Sequence, residues 1–215
     1  RDEARRALQA HQAELERTIE ARTAELRDVN AKLSKLAIRD GLTGLYNRRA
    51  FDERLQAELQ RAHRGGDHVA LVLGDVDFFK LYNDHYGHPA GDDCLVQVAE
   101  ALTRSFSRAD DFVARYGGEE FAVIISRSDE SATRRSVERF QQEIHALALP
   151  HEKSEVSEHV TLSLGVTIVG PSFAPSPADV VMLADKALYS SKESGRDRYT
   201  VTDQDAIEGV LTIVQ

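Results

Sequence analysis

The stretch RYGGEEFAVIIS, Arg115 to Ser126, constrains the fold more than any other part of the sequence. FVARY, from Phe112, and EFAVIIS, from Glu120, are both strand-like, and only Gly117, Gly118 and Glu119 lie between them. Two glycines allow the chain to reverse tightly, so an antiparallel hairpin is expected here. Elsewhere strand and helix patterns alternate. HVALVLGDVD reads as a buried strand, FFKLYNDHY as a short helix, and AGDDCLVQVAEALTRSF as an amphipathic one. A helix from about Glu130 to Leu147, the strand VTLSLGVTIV, a proline-rich loop, a helix from Ala178 to about Glu193 and the strand RYTV follow. Helices interleaved with strands that include a hairpin give an α/β fold with a mixed sheet flanked by helices.

Residues 1–39 differ in kind. In one heptad frame Ile19, Leu26 and Leu33 take position a, and Leu8, Leu15, Val29 and Leu36 take position d, without proline or glycine. Arg5, Gln12 and Arg22 fill the remaining seam positions, where polar side chains trade stability for register. A parallel two-stranded coiled coil making a homodimer is expected; the alternative is a single amphipathic helix packed on its own domain. Gly41 and Gly44 then break the pattern, and Asn47 is placed to cap a helix from Arg48 to about His63. The division expected is a coiled-coil helix over 1–39, a catalytic-type domain over 40–203 and a tail over 204–215.

Composition narrows the class. A formal charge of −9 argues against a nucleic-acid-binding protein that neutralises phosphates with a basic face. The single cysteine, Cys94, has no internal partner for a disulfide and suits a reducing compartment. No apolar run approaches the roughly 18 residues that would span a bilayer, so no membrane contact is expected of this piece. The chain begins at Arg1 within a helical pattern, and we expect a fragment that lacks its upstream, sensor-type region.

The acidic residues fall where two elements end. Strand alternation sends Asp75 and Asp77 to one side and Val76 to the other, and the hairpin carries Glu119 and Glu120. If the two strands are neighbours, four carboxylates converge on one edge. Such a cluster calls for a cation, and hard oxygen ligands suit Mg²⁺. An exposed acidic turn is the plainer reading of GGEE. Against it, DFFK offers helix-start amides and Lys80 to a phosphate chain, and SKESGRDR offers Lys192 and Arg196, four apart. Asn83 and Asp92 add an amide and a carboxylate, and a carboxylate can accept both N1–H and N2–H of guanine.

DGLTGLYNRR, DVDFFKLYNDHYGHPAGDD, RYGGEEF and ADKALYSSKESGRDRY, in this order from Asp40 to about Val201, resemble the signatures of the GGDEF family of diguanylate cyclases. The resemblance implies a palm-like, nucleotide-cyclase-like fold that binds one GTP per domain. Two domains facing each other would make cyclic di-GMP and two pyrophosphates, in the bacterial cytoplasm. By position, Asp75, the Val76 carbonyl and Glu119 correspond to ligands of Mg²⁺ (or Mn²⁺), with two ions per site. Glu120 stands beside the second ion, and Glu119 corresponds to the acceptor of the 3′-hydroxyl proton. Asn83 and Asp92 correspond to the guanine readers, with His88 in the adjoining pocket. Phe78, Phe79, Lys80, Lys192 and Arg196 correspond to the phosphate cradle, with Lys80 stabilising charge on the α-phosphate. Arg108 and Asp111 resemble the family's product-inhibition site, which Arg139 completes; a solvated Arg–Asp loop is the plain alternative. A catalytically silent module that only binds cyclic di-GMP is the alternative function. One departure is Gly74, where the family often has a branched apolar residue, and local looseness is expected there.

Overall fold

The computed structural model of the chain describes residues 22–23 and 38–202. The heptads and the tail from 204 therefore lie outside the described residues, apart from Arg22 and Thr23, which are helical. The chain divides into two units, Arg1–Ile38 and Arg39–Gln215, and the second holds the sheet.

Its elements run α1 (Arg48–Gly65), β1 (Val69–Val76), α2 (Phe79–Tyr86), α3 (His88–Ser105), β2 (Phe112–Gly117), β3 (Glu120–Ser126), α4 (Glu130–Leu147), β4 (Leu162–Val169), α5 (Pro177–Glu193) and β5 (Tyr199–Val201). They build one sheet in the order β2-β3-β1-β4-β5. β1 runs antiparallel to both β3 and β4, and only the β4–β5 pair is parallel. The expected mixed sheet is thus formed, with β1 at its centre.

Because β1 is covered on both faces, it reads as a continuous apolar run whose side chains serve two cores. Ala70, Val72 and Val76 meet Leu95 and Val98 of α3 and Phe140 of α4 on one face, while Val69, Leu71 and Leu73 meet Phe51 and Leu55 of α1 and Leu188 of α5 on the other. Each fully buried Leu or Phe contributes roughly 1.5–3 kcal/mol.

Local signals set most helix ends. Asn47 accepts the Ala50 amide at 3.0 Å, and Asp129 accepts that of Ala132 at 2.7 Å. Ser176 and Asp179 form a reciprocal capping box on α5. α3 starts at His88, two residues before the expected Ala90, because Pro89 is tolerated in a first turn that needs no amide there. α2, like α3, has no side-chain cap, and its N-cap, Phe78, is a non-glycine residue held left-handed at φ 55°.

The outer edge of the hairpin is covered by the chain entering the domain. Tyr46 bridges Ala114 in parallel, and the Arg115 amide donates to the Tyr46 carbonyl at 2.8 Å. The Arg115 side chain ties two more points together. Nε donates to the Gly118 carbonyl at 2.8 Å, and Nη1 meets Asp40 Oδ1 at 3.1 Å. Burial pushes the Asp40 carboxyl up, but the Thr43 amide and hydroxyl and the Arg115 guanidinium outweigh it and hold the group below its ordinary value.

α5 lies against β4 at a glycine. A Cβ on Gly165 would stand 2.1 Å from the Ala184 carbonyl oxygen and 2.3 Å from the Leu188 amide nitrogen, so only glycine admits the helix. Gly165→Ala should destabilise the domain by about 3 kcal/mol through overpacking, measured as a lowered denaturant midpoint; an unchanged midpoint would show that α5 can move away freely.

Candidate active site

The β1–β3 register sets Asp75 opposite Glu120. Beyond them the Val76 amide reaches the Glu119 carbonyl at a long 3.4 Å, so the ladder loosens where the hairpin begins. Asp75 is mostly buried, and Lys192 Nζ of α5 lies 2.9 Å from its Oδ2. Burial is the main reason the Asp75 carboxyl stands above its ordinary value; Glu119 and Asp77 push the same way, and Lys192 opposes them. Glu120 is raised by partial burial, then by Asp75, Glu119 and Asp185. The carboxylates therefore repel one another, and one ammonium partly compensates them.

This donor set fits a divalent cation. Among the described residues no three His, Cys, Asp or Glu side chains form a ready metal cage, but Mg²⁺ takes one or two carboxylates and completes its shell with water and substrate phosphates. Asp75, Glu119 and the Val76 carbonyl are hard oxygen donors at one sheet edge.

Asp77 does not join that edge. It lies past the end of β1, is 1% exposed, and accepts hydrogen bonds from Thr161 Oγ1 (2.8 Å), Ser163 Oγ (2.7 Å) and the Asp197 amide (3.1 Å). Three carboxylates meet at the edge rather than the expected four. Asp77 instead anchors the turn after α5, where Arg196 and Asp197 both hold positive φ, 58° and 47°. From that turn the Arg196 guanidinium stacks on the Phe78 ring at 4.5 Å and its Nε stands 4.0 Å from Asp77 Oδ1.

The start of α2 has the open donors that an anion would need. No side chain caps Phe78, so the first amides of the helix remain open donors at its positive end. The Phe79 side chain is buried and stacks with Tyr82, so Phe78 and Phe79 can serve an anion through main chain only. Lys80 is exposed beside them.

Asn83, one turn along α2, lies against Gly91 of α3: a Cβ there would stand 1.9 Å from Asn83 Oδ1. That oxygen is buried without a hydrogen-bond partner, which costs about 1–3 kcal/mol unless a ligand donor reaches it. Asp92, next to Gly91, and His88 are exposed. A cavity of about 660 Å³ lies on the other side, among α1, α5 and the hairpin, and its lining includes neither Asn83 nor Asp92.

Gly74 is not a loose point. The space its side chain would take is filled by Leu164, whose Cδ2 would lie 2.7 Å from a Cβ. Cys94 is buried, and burial pushes its thiol up to about 12, which leaves it inert at neutral pH.

Residues 37–198 match the family described as "Diguanylate cyclase, GGDEF domain". The chain belongs to the GGDEF family. It is 39% identical over 195 residues to the diguanylate cyclase DgcP of Pseudomonas aeruginosa, covering 91% of this chain and 28% of that protein. It is similar in structure to the GGDEF domain of DgcB from Caulobacter crescentus, solved in complex with c-di-GMP, with TM-score 0.70, 38% identity, and coverage of 77% of this chain and 96% of that one. The coiled coil and GGDEF domain of DgcB, also with c-di-GMP, gives TM-score 0.70 and 35% identity over 87% of this chain and 98% of that one. The chain spans about a fifth to a half of the length of the curated relatives it matches.

Away from the sheet edge, this GGDEF domain brings Arg108, Asp111 and Arg139 together. The Arg108 amide donates to Asp111 Oδ2 at 3.1 Å, and the Asp111 amide returns a bond to the Arg108 carbonyl at 3.0 Å. Asp111 Oδ1 is buried without a partner. Burial raises the Asp111 carboxyl, against the pull of Arg108 and Arg139. Arg139, on α4, donates from Nη2 to the Ser105 carbonyl.

Neither the anchoring by Asp77 nor its donors had a sequence signal, since Thr161, Ser163 and Asp197 are distant in the chain. Asp77→Asn turns one acceptor into a donor facing donors. It should cost about 2 kcal/mol, seen as a lowered thermal midpoint, and should raise amide exchange at Arg196 and Asp197; unchanged exchange there would deny Asp77 its anchoring role.

Proposed function

We propose that this GGDEF domain is a working diguanylate cyclase that condenses two GTP into cyclic di-GMP, releasing two pyrophosphates, where two domains face each other. The observation that carries this reading is one sheet edge. Asp75 and Glu120 stand in register across β1 and β3 with Lys192 on Asp75, and the uncapped start of α2 lies under Arg196. A carboxylate cluster beside an anion site is what a nucleoside triphosphate with divalent cations requires.

In this reading Asp75, Glu119 and the Val76 carbonyl would hold Mg²⁺ (or Mn²⁺), two ions per site, with Glu120 assisting the second. When bound, the cations neutralise charge on the phosphates and favour an ionised 3′-hydroxyl. Glu119 accepts the proton of that hydroxyl. The 3′-oxygen of one GTP attacks the α-phosphorus of the other, the bond to the β-phosphate oxygen breaks, and pyrophosphate leaves; the second half-site repeats the step. The amides at Phe78, Phe79 and Lys80 hold phosphate oxygens with Lys192 and Arg196, and the Lys80 ammonium stabilises charge developing on the α-phosphate. Asn83 Oδ1 and Asp92 receive guanine N–H groups, with His88 at the pocket wall.

The coiled coil expected over residues 1–39 makes the parallel homodimer that delivers the two half-sites, under control of an upstream sensor region, with the domain proper over 40–203. The DgcB structure, a coiled coil with a GGDEF domain, supports the presence of a coiled coil beside the domain and nothing beyond it. The c-di-GMP complexes of DgcB support a product site, which we place at Arg108, Asp111 and Arg139 as the means of feedback inhibition. The intact carboxylate set favours catalysis over a silent cyclic di-GMP receptor. The bacterial cytoplasm is the proposed setting; no helix among the described residues is long and apolar enough to cross a membrane.

Incubation with GTP and Mg²⁺ should yield cyclic di-GMP, and Glu119→Gln should lower turnover at least a hundred-fold with the fold intact. ATP, with an acceptor at N1, leaves Asp92 unpaired and should react at least a hundred-fold more slowly. Product formation by Glu119→Gln near the parent rate would refute the site, and silence of the parent would favour the receptor reading.

Feedback is tested separately. Arg108→Ala removes a guanidinium fork and should abolish inhibition by added cyclic di-GMP, with an initial rate within about two-fold of the parent. Equal inhibition of parent and variant would move the product site elsewhere.

A further inference from the structure

We infer that His151 is a positioning residue for the phosphate-binding start of α2, acting through the carbonyl of Phe78. The inference rests on the nucleotide-binding reading of that helix. His151 lies between α4 and β4 and is 1% exposed. Its Nε2 stands 3.2 Å from the Phe78 carbonyl oxygen. A carbonyl only accepts, so Nε2 carries the proton and donates it. The same oxygen accepts the Tyr82 amide at 3.1 Å, the first bond of the helix. Both lone pairs of Phe78 are thereby engaged, one by the helix and one by the loop.

The need for such a clamp follows from the backbone. Phe78 holds φ 55° and ψ 29°, a left-handed conformation that costs an ordinary residue about 1 kcal/mol or more and persists only where its surroundings over-determine it. Asn47, Asp129 and Ser176 fix α1, α4 and α5 with their own side chains, whereas Phe78 caps α2 with none. Its restraint comes from outside: the Arg196 guanidinium lies on the ring at 4.5 Å, and His151 holds the carbonyl. Turning the Phe78 peptide would swing the amide of Phe79 away from an anion.

Two features set His151 apart from a core filler. Its Nδ1 is buried with no partner, a cost that an apolar residue of similar volume avoids, so the compensating gain lies in the Nε2 bond. Its ring meets Tyr82 edge-on at 5.2 Å and 88°, and the next residue, Glu152, donates its amide to the Tyr86 hydroxyl at 3.1 Å. The loop thus grips α2 at its start, middle and end. Burial also lowers the His151 pKa, against the upward pull of the Phe78 bond, and so favours the neutral ring.

The test compares His151→Leu, which fills space without a donor, with His151→Gln, whose amide extends to a reach like that of Nε2. An α,β-methylene GTP analogue with Mg²⁺ is titrated calorimetrically, and guanosine is titrated by protein NMR. His151→Leu should bind the analogue about ten-fold more weakly, the loss of one hydrogen bond's influence. His151→Gln should stay within about two-fold of the parent, and guanosine should bind all three alike. Should the leucine variant fail to fold, His151→Asn, too short to reach Phe78, takes its place with the same expected loss. Unchanged analogue affinity without the donor, or equal loss of guanosine and analogue, would overturn the inference. A parent that binds the analogue but makes no cyclic di-GMP from GTP refutes the catalytic reading alone; one that binds no analogue refutes both.

Discussion

The carboxylate of Asp77 is held out of water at the end of the central strand, where an unpaired charge would cost several kcal/mol. Its oxygens are met by hydroxyls from Thr161 and Ser163 and by the Asp197 amide. Those donors come from the approach to β4, from β4 itself and from the turn after α5, so one group fixes three chain segments together. Each candidate site position is then a short step away. Asp75 lies two residues back along the chain, Phe78 one residue forward, and Arg196 belongs to the anchored turn. Lys192, one turn up α5, is carried to Asp75 by the same anchor and by the close seat of α5 on Gly165. A buried charge of this kind sets position more than it adds stability, because any other arrangement leaves it unsatisfied.

What could be read from the sequence was what neighbouring residues decide. Gly117 and Gly118 announced the hairpin, Asn47 the start of α1, and the apolar run from Val69 the buried strand, since each signal acts within a few residues. The cyclase motifs were legible because their residues sit at element ends, where sequence order alone brings Asp75 toward Phe78 and Lys80. The rest depended on distant partners. Strand alternation grouped Asp77 with Asp75, but alternation ends with the strand, and past Val76 the chain turns the carboxylate toward Thr161 and Ser163. Gly74 promised slack, yet Leu164 on the neighbouring strand fills the space. His151 was one histidine in a polar stretch, PHEKSEVSEHV, and nothing local tied it to Phe78.

The hairpin shows how charge and geometry support each other. Burial is what chiefly raises the carboxyl of Asp75, with Glu119 adding to it, and Glu120 is raised by burial and then by Asp75. Lys192 tempers that repulsion from α5, on a different element, so the charge balance of the edge depends on the seating of a helix. Electrostatics at this edge is therefore a readout of packing elsewhere in the domain.

Arg115 gives the domain a mechanical property. One side chain holds the carbonyl of Gly118 and the carboxylate of Asp40, with Asp40 in the turn that leads into α1 and Gly118 at the bend between the two paired strands. The planar guanidinium has no soft torsion between its nitrogens, so the two attachments form a stiff strut across the hairpin edge. A twist of the chain at Asp40 would act on the bend through two nitrogens whose spacing is fixed. In engineering terms the acidic bend sits at the output end of a linkage whose input is the segment where the chain enters the domain.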